Sequence, residues 1–257
     1  MREFEKQVVL ITGGNSGIGK SAARLFLEQG ANVWISGRDV EKTRAATIAL
    51  SSYGSVHGLN GDIRVPEVCR NLVAETVQAG GGLDVLVNSA GIFQYNLGDM
   101  TEESLWDDLI DTNLKGLFFM CRYAIPHLEK SKGNIVNLSS DAGIMGNRGA
   151  SVYSASKGGV NLLTKALAQE LFERGIRVNA ICPGDVNTPM LEADRALHPN
   201  LAQEDYCKAL LERYPLGTKG PIAPEEVAQM ILFIAAKKRT ALNGAILSLD
   251  YGLTAGY

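Results

Sequence analysis

Val8-Val9-Leu10-Ile11-Thr12-Gly13-Gly14-Asn15-Ser16-Gly17-Ile18-Gly19 joins a short β-branched run to a glycine-rich turn. The first four residues read as a strand buried on both faces. Behind the turn, Ile18, Ala22, Leu25 and Phe26 recur at helical spacing. A strand that turns through glycines into a helix aims free backbone N–H groups at an anion, and the missing side chains let that anion come close. Gly13, Asn15, Ser16, Gly17, Ile18 and Gly19 are therefore the expected phosphate cradle of a nucleotide. Their spacing differs from the G-x-G-x-x-G of two-domain dehydrogenases.

The same alternation continues to the C-terminus. Strands are expected at Asn32-Val33-Trp34-Ile35-Ser36, Val56-His57-Gly58-Leu59, Leu83-Asp84-Val85-Leu86-Val87-Asn88, Gly133-Asn134-Ile135-Val136-Asn137-Leu138, Ile176-Arg177-Val178-Asn179-Ala180-Ile181 and Ala245-Ile246-Leu247-Ser248-Leu249. Helices fall at about 40–50, 65–79, 103–130, 151–174 and 224–236. Apolar strands separated by helices predict an α/β fold. The expectation is one doubly wound, Rossmann-type domain over residues 1–257, a seven-stranded parallel sheet with helices on both faces. Residues 184–222 break the rhythm with Pro189, Pro199, Pro215 and Pro221. A long insertion near the C-terminal edge of a sheet reads as a substrate lid.

Composition narrows the function classes. At 257 residues, with 46% hydrophobic and 21% charged side chains, the chain is ordinary globular protein. A net charge of -3 gives no pull toward nucleic acid or an anionic membrane. No apolar run reaches the roughly 18–20 residues of a membrane span. The first residues lack the apolar stretch of a secretory signal, so a cytoplasmic protein is expected. Cys69, Cys121, Cys182 and Cys207 form no CxxC pair, and no metal site is expected.

Cofactor choice is read at the end of the second strand. An acid there would bind ribose hydroxyls and favour NAD; an arginine suits a 2′-phosphate. The order Ser36-Gly37-Arg38-Asp39 favours NADP(H) through Arg38, while Asp39 leaves NAD(H) possible. Asp62, followed by Ile63, stands just past the third strand, where it could accept from an adenine amino group or cap the next helix. Small residues in Asn88-Ser89-Ala90-Gly91 would let the backbone pass the adenosine.

The chemistry is read at Ser151-Val152-Tyr153-Ser154-Ala155-Ser156-Lys157. Tyr153 and Lys157 lie four apart and share a helix face. This spacing alone is close to a chance event, and its weight comes from Ser140 thirteen residues upstream and from the glycine turn. A free phenol titrates near pH 10. The Lys157 ammonium is expected to pull it down, making Tyr153 a general acid/base. Ser140 would hydrogen-bond the substrate oxygen. Asn113 falls inside the first long helix, where it would bend the helix and hold water near Lys157, or simply be solvated.

Together the 12–19 turn, Asp62, Asn88-Ser89-Ala90-Gly91, Asn113, Ser140, Tyr153, Lys157 and Pro183-Gly184 through Thr188 resemble the classical short-chain dehydrogenase/reductase family, over the full chain. The resemblance implies hydride transfer between a nicotinamide cofactor and a secondary alcohol or ketone. Asn113, Ser140, Tyr153 and Lys157 would form its tetrad, with Lys157 also on the nicotinamide ribose. Pro183, Gly184, Val186 and Thr188 would flank the carboxamide. It also implies a homotetramer built on the two long helices and the last strand. Two positions depart from the family pattern: Ser89 where Asn is usual, and Tyr251 where Gly is usual. A non-enzymatic nicotinamide-binding regulator on this fold is the outside alternative.

Substrate choice is expected from Gln94, Asp141, Asn147, Asp185 and Tyr206. Acids near the reacting centre repel anions and accept from hydroxyls. They point to a sugar, polyol or other neutral hydroxy/keto compound. A 3-oxoacyl thioester on a carrier protein or a steroid-like ketone is the alternative.

Overall fold

A computed structural model describes residues 2–196, 205–206, 208, 210, 212–214 and 220–255. Seven strands form one parallel sheet: β1 Val8–Thr12, β2 Asn32–Gly37, β3 Val56–Asn60, β4 Val85–Asn88, β5 Asn134–Leu138, β6 Arg177–Pro183 and β7 Ile246–Leu249. Their order across the sheet is β3-β2-β1-β4-β5-β6-β7. All five residues of β1 are buried, as are those of β4 and β5, whereas no residue of β3 or β7, at the edges, is buried. Central parallel strands must be apolar on both faces because helices cover both.

The helices are α1 Gly17–Glu28, α2 Val40–Leu50, α3 Pro66–Gly80, α4 Glu103–Ile110, α5 Leu117–Ser131, α6 Ser151–Glu170, α7 Pro189–Ala196 and α8 Pro224–Ala235. Alternate residues of β1 feed different cores. Val9 and Ile11 join Phe26, Val227 and Ile231 under α1 and α8. Val8 and Leu10 join Leu72, Met120 and Val160 under α3, α5 and α6. The two-residue period of a strand makes this division.

Two helix expectations need correction. The helix expected at 103–130 is α4 and α5 joined by a π-helical turn, Asp111–Gly116, that contains Asn113. Each π turn inserts extra backbone, and such bulges concentrate at functional sites. The helix expected to run to 174 ends at Glu170, and the chain then turns to Gly175 at φ 75°. The left-handed conformation there suits glycine and stops the helix. Of the expected lid, α7 lies within the described residues; Pro199, Pro215 and most of 197–219 lie outside them, as does Cys207. No helix among the described residues is long and apolar enough to cross a membrane.

Strand order reverses between β2-β1 and β4-β5, so the βα connections leave β1 and β4 in opposite directions. The crevice beyond their carboxyl ends is where open parallel sheets bind ligands.

Candidate active site

Two cavities meet in that crevice. One, about 330 Å³, is lined by the glycine turn, the end of β2, Asp62 and Ile63, and Ser89 to Ile92. The other, about 410 Å³, is lined by Ser140, Asp141, Tyr153, Pro183 to Val186 and α7. Ile18, Thr188 and Met190 border both, so an extended molecule can pass from one to the other.

The first cavity is shaped by missing side chains. Gly13 has φ 66°, and a Cβ there would lie 2.8 Å from the Ala90 Cα. A Cβ on Gly17 would press Thr188, and one on Gly19 would sit 2.5 Å from the Gly13 carbonyl oxygen. Ser16 begins α1 without a side-chain cap, so the first-turn N–H groups face the cavity side unsatisfied by it. An uncapped helix start beside glycines fits a diphosphate. Asn15 donates to Thr43 Oγ1 at 3.0 Å, which braces the turn against α2.

At the far end of this cavity stand Arg38, Asp39 and Lys42. The Asp39 carboxylate accepts from the Lys42 backbone N–H at 2.9 Å and caps α2. The helix thus engages the acid that kept NAD open, and two cations flank it. Lys42 went unread in the sequence, although an Asp N-cap three residues before a lysine places that lysine in the first helical turn. Asp62 is not the cap of α3, whose first residue follows Val65. Its carboxylate is held by Arg64 at 2.7 Å. Burial acts to raise its pKa, but the Arg64 hydrogen bonds and charge, with Arg38 further off, leave it below the usual carboxylate range.

Asn88 departs from the expected role of a cavity residue. Its side chain is buried and donates to Asn137 Oδ1 at 2.9 Å and to Cys121 Sγ. The pleat turns it into the core, and the following residues, Ser89 to Ile92, reach the cavity.

Ser140 and Tyr153 line the second cavity, and Lys157 and Asn113 pack behind it. Tyr153 and Lys157 lie one turn apart on α6, and the Lys157 Nζ is 5.7 Å from the centre of the Tyr153 ring. Lys157 donates to the Leu138 carbonyl at 2.8 Å, which anchors it at the end of β5. Phe93 meets the Tyr153 ring edge-on at 5.0 Å. Asn113 is fully buried in the π turn. It accepts from the Ile92 N–H at 2.8 Å, donates to the Ile92 carbonyl at 2.9 Å and reaches Ser156 Oγ at 3.2 Å. It ties the loop after β4 to α6 and is not a solvated helix residue.

The electrostatics overturn one expectation. Burial pushes the Tyr153 phenol well above its usual range; a Ser140 hydrogen bond opposes this, and the Asp141 and Asp185 carboxylates add to it. The Lys157 ammonium does not bring the phenol down. Burial costs that ammonium as well, lowering it to about 8. Desolvation outweighs a charge several ångströms away because it acts on the whole phenolate. The protein's own groups thus favour the protonated form of the Tyr153 phenol.

Around these residues lies a ring of charge. Ser140 Oγ donates to Asp141 Oδ1 at 2.6 Å, and Asn147 donates to the other oxygen at 3.3 Å. Arg213 stands 3.6 Å from Asp141 and 3.5 Å from Asp185. Tyr214 donates to Asp185 at 2.8 Å, and Tyr206 to Asp194 at 2.7 Å. Asp185 is raised by burial, against the pull of Arg213. Tyr251, at φ 52°, packs its ring on Tyr214 at 5.9 Å, so the departure from glycine there backs the cavity wall.

Of the expected substrate residues, Asp141, Asn147, Asp185 and Tyr206 line this cavity. Gln94 does not; it is exposed, because the extended segment points Phe93 and Tyr95 inward and the residue between them outward. Arg213 and Asp194 also line the cavity and were not read from the sequence. No periodic pattern marks them within the proline-broken stretch.

A family model described as short chain dehydrogenase matches residues 7–198. The chain is 41% identical over 254 residues to the 3-oxoacyl-[acyl-carrier-protein] reductase FabG of Thermotoga maritima, covering 97% of this chain and 98% of that one. It is 37% identical to the L-fucose dehydrogenase of Bos taurus, covering 99% and 92%. A crystal structure of a dehydrogenase/reductase from Sinorhizobium meliloti superposes with a TM-score of 0.88 at 31% identity, covering 98% and 97%.

Proposed function

The chain belongs to the short-chain dehydrogenase family and is an NAD(P)-dependent oxidoreductase acting on CH–OH groups, and from its site we propose the cofactor preference, the residue roles and the substrate class. The nicotinamide cofactor supplies the hydride acceptor or donor. The glycine cradle and α1 N-terminus hold its diphosphate, Asp62 and Ile63 its adenine end, and Thr188 its carboxamide. Lys157 holds the ribose hydroxyls. Tyr153 gives its phenolic proton to the forming alkoxide in reduction and takes one back in oxidation. Ser140 binds the substrate oxygen. Asn113 acts by positioning the 91–93 loop and α6.

NADP(H) is the preferred cofactor in this reading, because Arg38 and Lys42 flank the end of the first cavity while Asp39 is engaged in capping. Arg38→Ala should weaken NADP binding by about tenfold, the worth of one charge-assisted contact, and leave NAD nearly unchanged. Titration of both cofactors against intrinsic fluorescence measures this. An equal loss for both would remove the phosphate assignment.

The substrate class is carried by one observation: three carboxylates, Asp141, Asp185 and Asp194, line the substrate cavity beside two arginines. Such a wall repels anions and offers acceptors to several hydroxyls, which fits a sugar, polyol or other neutral hydroxy/keto compound. The likeness to an acyl-carrier-protein reductase favours a second reading, a 3-oxoacyl thioester. A nicotinamide-absorbance panel of sugars and polyols against acyl thioesters decides between them. Polyol turnover at least about tenfold above thioester turnover, in kcat/KM, is expected; thioester activity alone would end the first reading.

The same proposal includes a cytoplasmic homotetramer. The association is supported by the exposed Phe118 on α5 and the more exposed Leu162 and Phe172 on and after α6.

A further inference from the structure

Three carboxylates line the substrate cavity, but their oxygens are not equally free. Asp141 Oδ1 accepts from Ser140 Oγ at 2.6 Å, and its Oδ2 accepts from Asn147 at 3.3 Å. Asp194 Oδ2 accepts from Tyr206 at 2.7 Å, and its Oδ1 is enclosed by protein. Asp185 Oδ2 accepts from the Tyr214 hydroxyl at 2.8 Å. Asp185 Oδ1 differs from all of these. It has no hydrogen-bond partner among the described residues, and it is not enclosed. The Asp185 side chain keeps 20% of its surface exposed, on a residue that lines the cavity. An ionised carboxylate oxygen can only accept, so what this one lacks is a donor.

The chain beneath that oxygen is fixed. The Asp185 N–H donates to the Tyr214 hydroxyl oxygen at 2.7 Å, and the Asp185 carbonyl accepts from the Ile222 N–H at 2.8 Å. Tyr214 therefore grips one residue twice, at its N–H and at Oδ2. Gly184 makes room for it: a Cβ there would lie 2.6 Å from the Tyr214 hydroxyl oxygen. Tyr214 is itself buried, and Tyr251 meets its ring edge-on at 5.9 Å. Arg213 places one guanidinium nitrogen 3.5 Å from Asp185 Oδ2 and 3.6 Å from Asp141 Oδ2. Both neighbours of the Asp185 carboxylate lie on its Oδ2 side, which leaves the other oxygen to the cavity. Asp141 is bonded to Ser140, so Asp185 stands within a small molecule's reach of the oxygen that Ser140 would bind.

We propose that Asp185 selects the substrate, its Oδ1 accepting from a hydroxyl other than the reacting one, and that Tyr214 is the positioning residue that aims it. The ligand class is a neutral ketone or alcohol carrying a second hydroxyl, as sugars and polyols do. An anionic group at that place would meet the carboxylate at short range. An aliphatic group would strip water from the oxygen and leave it unpaired, which costs more than a missing contact. The inference rests on the hydroxylated-substrate reading and narrows it from a wall of acids to one oxygen.

The test uses the full-length protein and matched pairs, each a sugar or polyol that is turned over and an analogue lacking one non-reacting hydroxyl. For one hydroxyl, removal should cost the wild-type protein about 30-fold in kcat/KM, as expected for a hydrogen bond to a charged group. In Asp185→Ala that ratio should fall to within about twofold of unity, the scatter of additive effects. Any effect of the lost charge on the reacting centre is common to both members of a pair and cancels in the ratio. Asp185→Asn keeps the shape and one acceptor oxygen, and covers the case in which the alanine variant does not fold. Its ratio should fall by at least about threefold, because the charge-assisted share of the bond is gone. Tyr214→Phe keeps the ring against Tyr251 and removes both hydrogen bonds to Asp185. It should lower the same ratio by at least about threefold, through the KM of the hydroxylated member. A tyrosine that only packs would leave the ratio unchanged. A ratio that survives in Asp185→Ala, or the lack of any hydroxyl whose removal slows the wild-type protein, would overturn the assignment while sugar or polyol turnover stands. If thioesters alone are turned over, the substrate reading fails and the Asp185 assignment fails with it.

Discussion

Tyr153→Phe is expected to cost at least about 10³-fold in kcat while leaving cofactor affinity within about twofold. The change deletes one oxygen. The ring stays against Phe93, whose edge meets it at 5.0 Å, so no cavity opens and the fold is preserved. Thermal unfolding should be little changed, because the ring keeps its packing and a single hydroxyl that lines the cavity is replaced by hydrogen. What is lost is the proton. Burial favours the protonated phenol, the form that can give a proton to a ketone. Single-turnover absorbance with a fluorescence titration of the cofactor separates the two effects. If turnover survives in Tyr153→Phe, the proton is supplied elsewhere and the roles of Ser140 and Lys157 must be reassigned.

Gly13→Ala should have the second large effect, on cofactor affinity and stability together. At φ 66° an L-residue is strained by about 1–2 kcal/mol. The new methyl would also lie 2.8 Å from the Ala90 Cα and 2.9 Å from its N, both backbone atoms that cannot step aside. Overpacking adds about 1–3 kcal/mol. The strands β1 and β4 pair through Thr12 and Asn88 immediately before these turns, so relief requires the cradle itself to open. A cofactor affinity loss of at least about tenfold and a lower thermal midpoint are expected. Calorimetric titration and a melting curve measure them. Wild-type affinity in a destabilised protein would show that the turn is structural and not the diphosphate site.

Much of the site was legible because its parts are local. The glycine turn needs only the chain between β1 and α1, and the Tyr153/Lys157 face needs one turn of α6. The illegible parts are contacts between distant segments. Arg213 bridges Asp141 and Asp185 across residues 141 to 213, and no spacing rule joins them. Asn88 and Gln94 were misplaced for a smaller reason: each lies one residue from the cavity lining, and the pleat decides which neighbour faces it. Asn113 was placed in a plain helix because a π turn has no sequence period of its own, and its bonds to Ile92 join segments far apart in the chain.

By itself, the order of residues determined the doubly wound sheet, the glycine turn and the shared face of Tyr153 and Lys157, since buried parallel strands, glycine turns and helical spacing are dictated by neighbours in the chain. Tertiary structure decided the electrostatic balance at Tyr153. Burial and the Asp141 and Asp185 carboxylates push the Tyr153 phenol toward its protonated form, and Ser140 donates to Asp141. Both effects depend on what surrounds a group in space, where desolvation outweighs a single partner read four residues away.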